Sequence, residues 1–314
     1  MPHITFIHGI ANKPAPDKLL KLWRDSLARD NGIDLGANGV TSSMVYWADL
    51  LYDKPQADEP GYESAELSES ADLAIKSSDA KIDLGWRESL SGDEEAWVGT
   101  LAAKLNFEAE VDEKAAPAEA VAGPQFERIP LPGFLKKELM KTFLRDVHHY
   151  LFNVTYSPRP GESWKIQEEI RRRLLAALTE GAKQPGPHIL VSHSMGTVIS
   201  YDCLKRVTDC PRVDGLMTIG SPLGIDEIQD ALKPEYSSLS GFPMEKVAGR
   251  WVNVYDRLDP VAGVDPVFGN DYRKDGQPAV EDINEQNWGR WRHDIAKYLK
   301  GAKLRAKLSE MLDL

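Results

Sequence analysis

Ile189-Leu190-Val191-Ser192-His193-Ser194-Met195-Gly196-Thr197-Val198-Ile199-Ser200 is a stretch in which an apolar run breaks sharply and a helix-like run follows. A strand feeding a helix through so short a turn forces its central residue, Ser194, into a strained backbone conformation. The turn lifts the hydroxyl above the sheet edge, over the positive end of the helix. That is the geometry of a nucleophile elbow. Small flanking residues are a steric necessity there. Gly196 supplies one, but the position two before the serine, glycine in the usual G-x-S-x-G form, is Ser192. Its CH₂OH group is expected to be accommodated by bonding to nearby main chain, with the strain at Ser194 preserved. The competing reading of Ser194 is a serine that merely caps the following helix.

Two further segments bear on that choice. His3-Ile4-Thr5-Phe6-Ile7-His8-Gly9-Ile10-Ala11 reads as a short strand ending in His-Gly. Trp251-Val252-Asn253-Val254-Tyr255-Asp256-Arg257-Leu258-Asp259-Pro260-Val261 reads as a strand delivering acids, and His293 follows it in Trp291-Arg292-His293-Asp294. The order is serine, acid, histidine. With these residues the chain resembles the α/β-hydrolase superfamily, and most of all its lipase- and esterase-type members. The resemblance spans residues 3 to 11 and 186 to 298, includes Thr218-Ile219-Gly220-Ser221-Pro222-Leu223-Gly224, and does not extend to 48 to 133. It implies an α/β-hydrolase fold, a mostly parallel, doubly wound sheet of about six strands flanked by helices, and acyl transfer through a serine. It implies no particular substrate.

The resemblance also orders the candidate site residues. Ser194 is the expected nucleophile, and His293 the expected base, because an imidazole can take the serine proton and return it to the leaving group. The acid is Asp256, at the strand end, or Asp259. Asp259-Pro260-Val261 is similar to the Asp-x-Val around the acid in lipase-like hydrolases, which favours Asp259, and the other is then expected as an exposed loop residue or a local turn cap. The oxyanion hole is expected from the backbone N–H groups of Met195, after the nucleophile, and Ile10, after His8-Gly9. His8 is expected to hold that loop by hydrogen bonds, and His193 to pack. Asn12 and Lys13 either reach the acyl pocket or brace the loop. His148 and His149, adjacent on a helix, point roughly 100° apart and lack metal-ligand spacing. No role is assigned to His3 or His188.

Composition sets the outer limits. With 314 residues, 42% of them hydrophobic, the chain is long enough for a single large α/β domain over 1–314, with 48–133 as an insertion and possible cap or lid. The net charge of -11 is uneven: residues 49 to 127 hold 20 acidic and 6 basic side chains, and the remainder carries a small positive excess. Such a field repels phosphate backbones and anionic lipid, so nucleic acid is not an expected partner. The acidic stretch is either a solubilising face or an influence on substrate choice. No apolar run approaches membrane-spanning length, and the N-terminus is expected to enter a strand at once, so neither integral membrane association nor a signal peptide is expected, and the location is expected to be cytoplasmic. Cys203 and Cys210, placed on one helix roughly 10 Å apart, are too far to bridge and fit a reducing compartment.

Periodicity fills in the rest. Pro16 opens a helix carrying Leu19, Leu20, Trp23 and Leu27, which Asn31-Gly32 ends. A strand is expected over 39–47, short helices and an Ala115 to Pro124 loop in the insertion, and helices over 135–151 and 163–180. Strands over 187–191, 213–219, 250–255 and 280–283 alternate with helices in the βαβ rhythm of a parallel sheet, and 295–312 closes the chain as one amphipathic helix. The function these readings lead to is a serine hydrolase for short to medium carboxylic esters, requiring no cofactor or metal. A thioesterase or amidase with the same residues, and an inactive hydrolase-fold scaffold, are the alternatives. Oligomeric state is left open.

Overall fold

The computed structural model describes residues 1–56, 85–105, 133–288 and 292–314. Its centre is a six-stranded sheet built from β1 (His3–Ile7), β2 (Thr41–Val45), β3 (His188–His193), β4 (Gly215–Ile219), β5 (Trp251–Tyr255) and β6 (Val280–Asn284). All neighbours pair in parallel, in the order β2-β1-β3-β4-β5-β6. Strands β1, β3, β4 and β5 are buried along their whole length, as parallel strands covered on both faces must be.

Alternation within each strand assigns side chains to two cores. Ile4, Phe6, Val191, Met217 and Val254 face helices α1 (Pro16–Ala28), α7 (Ile295–Lys300) and α8 (Ala302–Met311), through Leu19, Trp23, Leu299 and Leu308. Ile7, Leu190, Leu216 and Trp251 face the opposite layer, which holds α3 (Gly133–Leu151), α4 (Ile166–Gly181) and α5 (Met195–Arg206). The result is a doubly wound α/β sandwich. Two more helices, α2 (Gly92–Lys104) and α6 (Asp226–Ala231), lie beside that second layer. Val98 and Leu101 of α2 are buried in its core, and Trp97 Nε1 donates to Glu227 O at 2.8 Å.

The strand order locates the site. The chain moves from β1 outward to β2 on one side, then returns to lay β3 on the other side of β1. Loops leaving β1 and β3 therefore diverge and leave a crevice at their carboxyl ends, the switch point at which open α/β sheets bind ligands.

Two expectations need correction. The closing helix over 295–312 is interrupted: Gly301, at φ -61 and ψ 129, ends α7 and precedes α8. Glu285 occupies the space a side chain at 301 would need, and its Oε2 accepts from Lys303 and Leu304 N–H at 3.0 Å, capping α8. The two cysteines do not share a helix, because α5 stops at Arg206; both are buried free thiols. The loop expected from Ala115 to Pro124 lies outside the described residues. No helix among the described residues is long and apolar enough to cross a membrane.

Candidate active site

Ser194 follows β3 and precedes α5 with φ 52 and ψ -128, a left-handed conformation that a residue with a Cβ holds only when its surroundings impose it. Its N–H donates to Ile219 O at 2.9 Å, and its C=O accepts from Thr197 N at 2.9 Å and Thr197 Oγ1 at 2.6 Å. Thr197 Oγ1 also meets Ser221 Oγ at 2.6 Å, so the Thr218 to Gly224 segment braces the turn from the β4 side. Two glycines allow the packing. A Cβ on Gly196 would stand 2.7 Å from His8 O, and one on Gly9 would stand 2.6 Å from Ser194 Cβ. Ser192 Oγ donates to Met217 O at 3.2 Å, the main-chain partner expected in place of a glycine.

The hydroxyl does not cap α5; the helix start carries no side-chain cap. Ser194 Oγ instead lies 2.8 Å from His293 Nε2. His293 Nδ1 in turn lies 2.9 and 2.8 Å from the two oxygens of Asp259. Serine, histidine and carboxylate thus form one hydrogen-bonded chain, with relative exposures of 0%, 3% and 2%. The serine has no open surface, contrary to the elbow's usual exposed position.

Asp259 is held by more than the histidine. Oδ1 accepts from Val261 N at 2.8 Å and Ala262 N at 3.1 Å, and Oδ2 accepts from Tyr298 Oη at 2.8 Å. Burial works against its ionisation, but the charge of His293 and these donors outweigh it and hold the carboxyl below its ordinary value. Tyr298 also accepts from Asp256 N at 2.9 Å, and burial with the nearby Asp259 charge raises its phenol well above the usual range, so it stays a donor. The amphipathic spacing of 295–312 marks Tyr298 as a buried position and gives no sign of this role.

Asp256 is not the histidine's partner, and it is not exposed either. It is 3% exposed, and its carboxylate accepts from Leu258 N at 2.8 Å, Asn287 N at 2.7 Å and Arg292 Nη1 at 3.2 Å. It caps its own turn, as expected of the residue not chosen, and also ties down the segment that carries His293.

The remaining histidines separate cleanly. His8 Nε2 accepts from Trp47 N at 3.0 Å, which leaves the proton on Nδ1 to donate to Gly9 O at 2.8 Å. His193 Nε2 donates to His293 O at 3.0 Å, and the two rings lie 4.8 Å apart. Burial, aided by neighbouring positive charge, pushes both His8 and His193 well below the ordinary histidine value. His148 meets Glu94 at 3.2 Å and His149 at 3.3 Å; no group of three such side chains among the described residues could hold a metal ion.

The loop after β1 carries the other expected donor. Lys13 Nζ donates to Ile10 O at 2.6 Å, Asn12 Nδ2 donates to Lys54 O at 2.9 Å, and Ala11 N donates to Asp146 Oδ2 at 3.0 Å. Lys13 and Asn12 therefore brace the loop, one of the two roles left open for them. Asp146, on α3, was not singled out in the sequence: nothing in the spacing connects it to residue 11.

No family model matches this chain, and no curated protein matches it. Among solved structures, an uncharacterized protein from Pseudomonas aeruginosa aligns over 81% of this chain and 35% of its own, at 10% identity and a TM-score of 0.25. The chain thus spans about a third of that protein's length, and a likeness this weak carries no argument.

Proposed function

We propose that this protein is a serine hydrolase of the α/β-hydrolase type that cleaves carboxylic esters through an acyl-enzyme. The observation that carries the reading is the chain from Ser194 Oγ through His293 to Asp259, with links of 2.8 Å and 2.8 to 2.9 Å, on a serine held at φ 52. A capping serine needs neither the strain nor the histidine.

In this mechanism Ser194 Oγ attacks the ester carbonyl carbon while its proton passes to His293 Nε2. Asp259 holds His293 in the tautomer whose Nδ1–H faces the carboxylate and stabilises the imidazolium as it forms. Negative charge on the carbonyl oxygen is met by the N–H groups of Met195 and Ile10, and the positive end of α5 adds to the same field. Collapse of the tetrahedral intermediate breaks the ester C–O bond, His293 returns the proton to the departing alkoxide, and an acyl-Ser194 remains. Water, deprotonated by His293, then releases the acid. No step calls for a cofactor or a metal.

The preferred substrates are short to medium esters without charge. The acidic balance of residues 49 to 127 disfavours anionic surfaces and anionic acyl groups. Thioesters and amides could use the same residues. The test is fluorophosphonate labelling followed by peptide mapping, run with a panel of matched esters, thioesters and amides. Labelling at Ser194 with ester turnover supports the reading. Absence of both points to a binding protein on a hydrolase-like scaffold.

A further inference from the structure

The loop that follows β1 holds two consecutive peptide units in different ways. The unit joining Gly9 to Ile10 is fixed at its oxygen by His8 Nδ1–H, 2.8 Å from Gly9 O. The unit joining Ile10 to Ala11 is fixed at both ends: the Lys13 ammonium lies 2.6 Å from Ile10 O, and the Asp146 carboxylate lies 3.0 Å from Ala11 N. The cation sits at the negative end of the peptide dipole and the anion at the positive end. Both side chains are buried, with relative exposures of 4% and 0%. Asp146 is itself anchored by Arg145, whose Nε and Nη2 donate to Oδ1 at 2.9 and 2.7 Å.

Burying these charges is an expensive way to stabilise a loop, since apolar side chains of similar size often do as well or better. What charges supply and apolar groups cannot is a fixed direction for the peptide. A flip of the Ile10 to Ala11 unit would turn the carbonyl toward the carboxylate and the N–H toward the ammonium. The flip is otherwise inviting, because Ala11 sits at φ 71, a left-handed conformation that alanine resists.

We propose that Lys13 and Asp146 are positioning residues: a charge clamp that locks the Ile10 to Ala11 peptide and so fixes the Ile10 Cα, from which the preceding unit, held at Gly9 O by His8, aims the Ile10 N–H at the oxyanion. The inference rests on the ester-hydrolase reading. Neither side chain touches the reacting atoms; each acts through the peptide it grips. Their work is needed most where charge develops on the carbonyl oxygen, so the clamp contributes to the transition state and little to ester binding.

The test compares the full-length protein with Lys13→Met, Asp146→Asn and the double variant. It measures ester kinetics and inhibition by an alkyl boronic acid, which bonds to the serine oxygen as a tetrahedral adduct. Lys13→Met leaves the Arg145–Asp146 pair whole and is the variant best able to fold, as near-UV circular dichroism will show. The clamp predicts that kcat falls by about tenfold to a hundredfold, with KM within about threefold. The boronic acid should weaken by the same factor as kcat/KM, and the double variant should lose far less than the product of the single losses, because both side chains hold one peptide. Folded variants that keep kcat and boronic acid affinity within about twofold of the parent, or that raise KM alone, overturn the clamp. A parent protein that neither turns over esters nor labels at Ser194 overturns the hydrolase reading itself, and the clamp with it.

Discussion

Replacing Gly9 with alanine isolates the contact between the two loops of the site. The added Cβ would stand 2.6 Å from Ser194 Cβ, 3.1 Å from Ser194 Oγ and 3.2 Å from His193 O. An ordinary carbon contact begins near 3.4 Å, so one of the loops must yield by about 0.8 Å. Gly9 does not have a positive φ, so the cost is one of space and not of conformation. Overpacking of this kind costs about 1–3 kcal/mol of stability. The larger effect is kinetic, because the displaced atom is the one bonded to Oγ, whose 2.8 Å link to His293 Nε2 sets the attack. A misplacement of about 1 Å in a reacting group costs about a hundredfold in rate. We therefore expect Gly9→Ala to fold, to melt modestly lower, and to lose about a hundredfold in both ester turnover and the rate of fluorophosphonate labelling. Labelling and turnover within about threefold of the parent would show that the loops part without disturbing Ser194, and the reasoning from close approach would fail.

Ser194→Ala should abolish turnover and labelling while leaving the melting temperature near that of the parent; retention of most activity would end the nucleophile assignment. Asp259→Asn should cut kcat by about 10⁴-fold through the wrong histidine tautomer. Asp256→Asn, which loosens the segment of Arg292 and Asn287, should act mainly on stability in a urea titration; the reverse ranking would make Asp256 the acid. Stability should fall with acid: burial holds His8 and His193 well below the ordinary histidine value of 6.5 and lowers His188 to about 4 and His149 to about 3. Each takes up its proton on unfolding, so its contribution is complete above 6.5, and it is lost between there and the lowered value, at up to about 1.4 kcal/mol per pH unit. Urea midpoints that are level or rising as the pH drops from about 7 to about 5 would contradict this.

The parts of the site legible in the sequence were those whose signal is local. A strand broken by Ser-His-Ser-Met-Gly, an early His-Gly, and an Asp-Pro-Val turn each announce a backbone shape within a few residues. Ser194, Asp259 and His293 do meet, and the parallel strands fall close to where the apolar runs were read. The residues missed act across the fold. Tyr298 reads as one more buried position on a helix, and only its neighbours reveal that its hydroxyl ends on Asp259. Asp146 reads as one polar residue among several in the 135–151 helix, yet its partner is the main chain of residue 11. Hydrophobic spacing continues through the break at Gly301, and what marks it is Glu285, reaching from just past β6 to cap the first turn of α8. The burial of Ser194 could not be read either, since a turn's exposure depends on what other segments lay over it.

The order of the strands has a bearing on how the protein comes to exist. His293 is 99 residues from Ser194 and 34 from Asp259, and the loop after β1 meets the turn after β3 only when the intervening chain has crossed back over the sheet. Helices can form from near neighbours, but these meetings must wait for loop closures whose entropy is lost before any contact repays it. During refolding from denaturant, far-UV helical signal should therefore return first and reactivity at Ser194 last. Reactivity at Ser194 is thus a clock for the completion of the whole sheet, and a chain cut before His293 never reaches the hour, because it lacks both the Nε2 partner of Ser194 and the helices α7 and α8 that pack on the sheet.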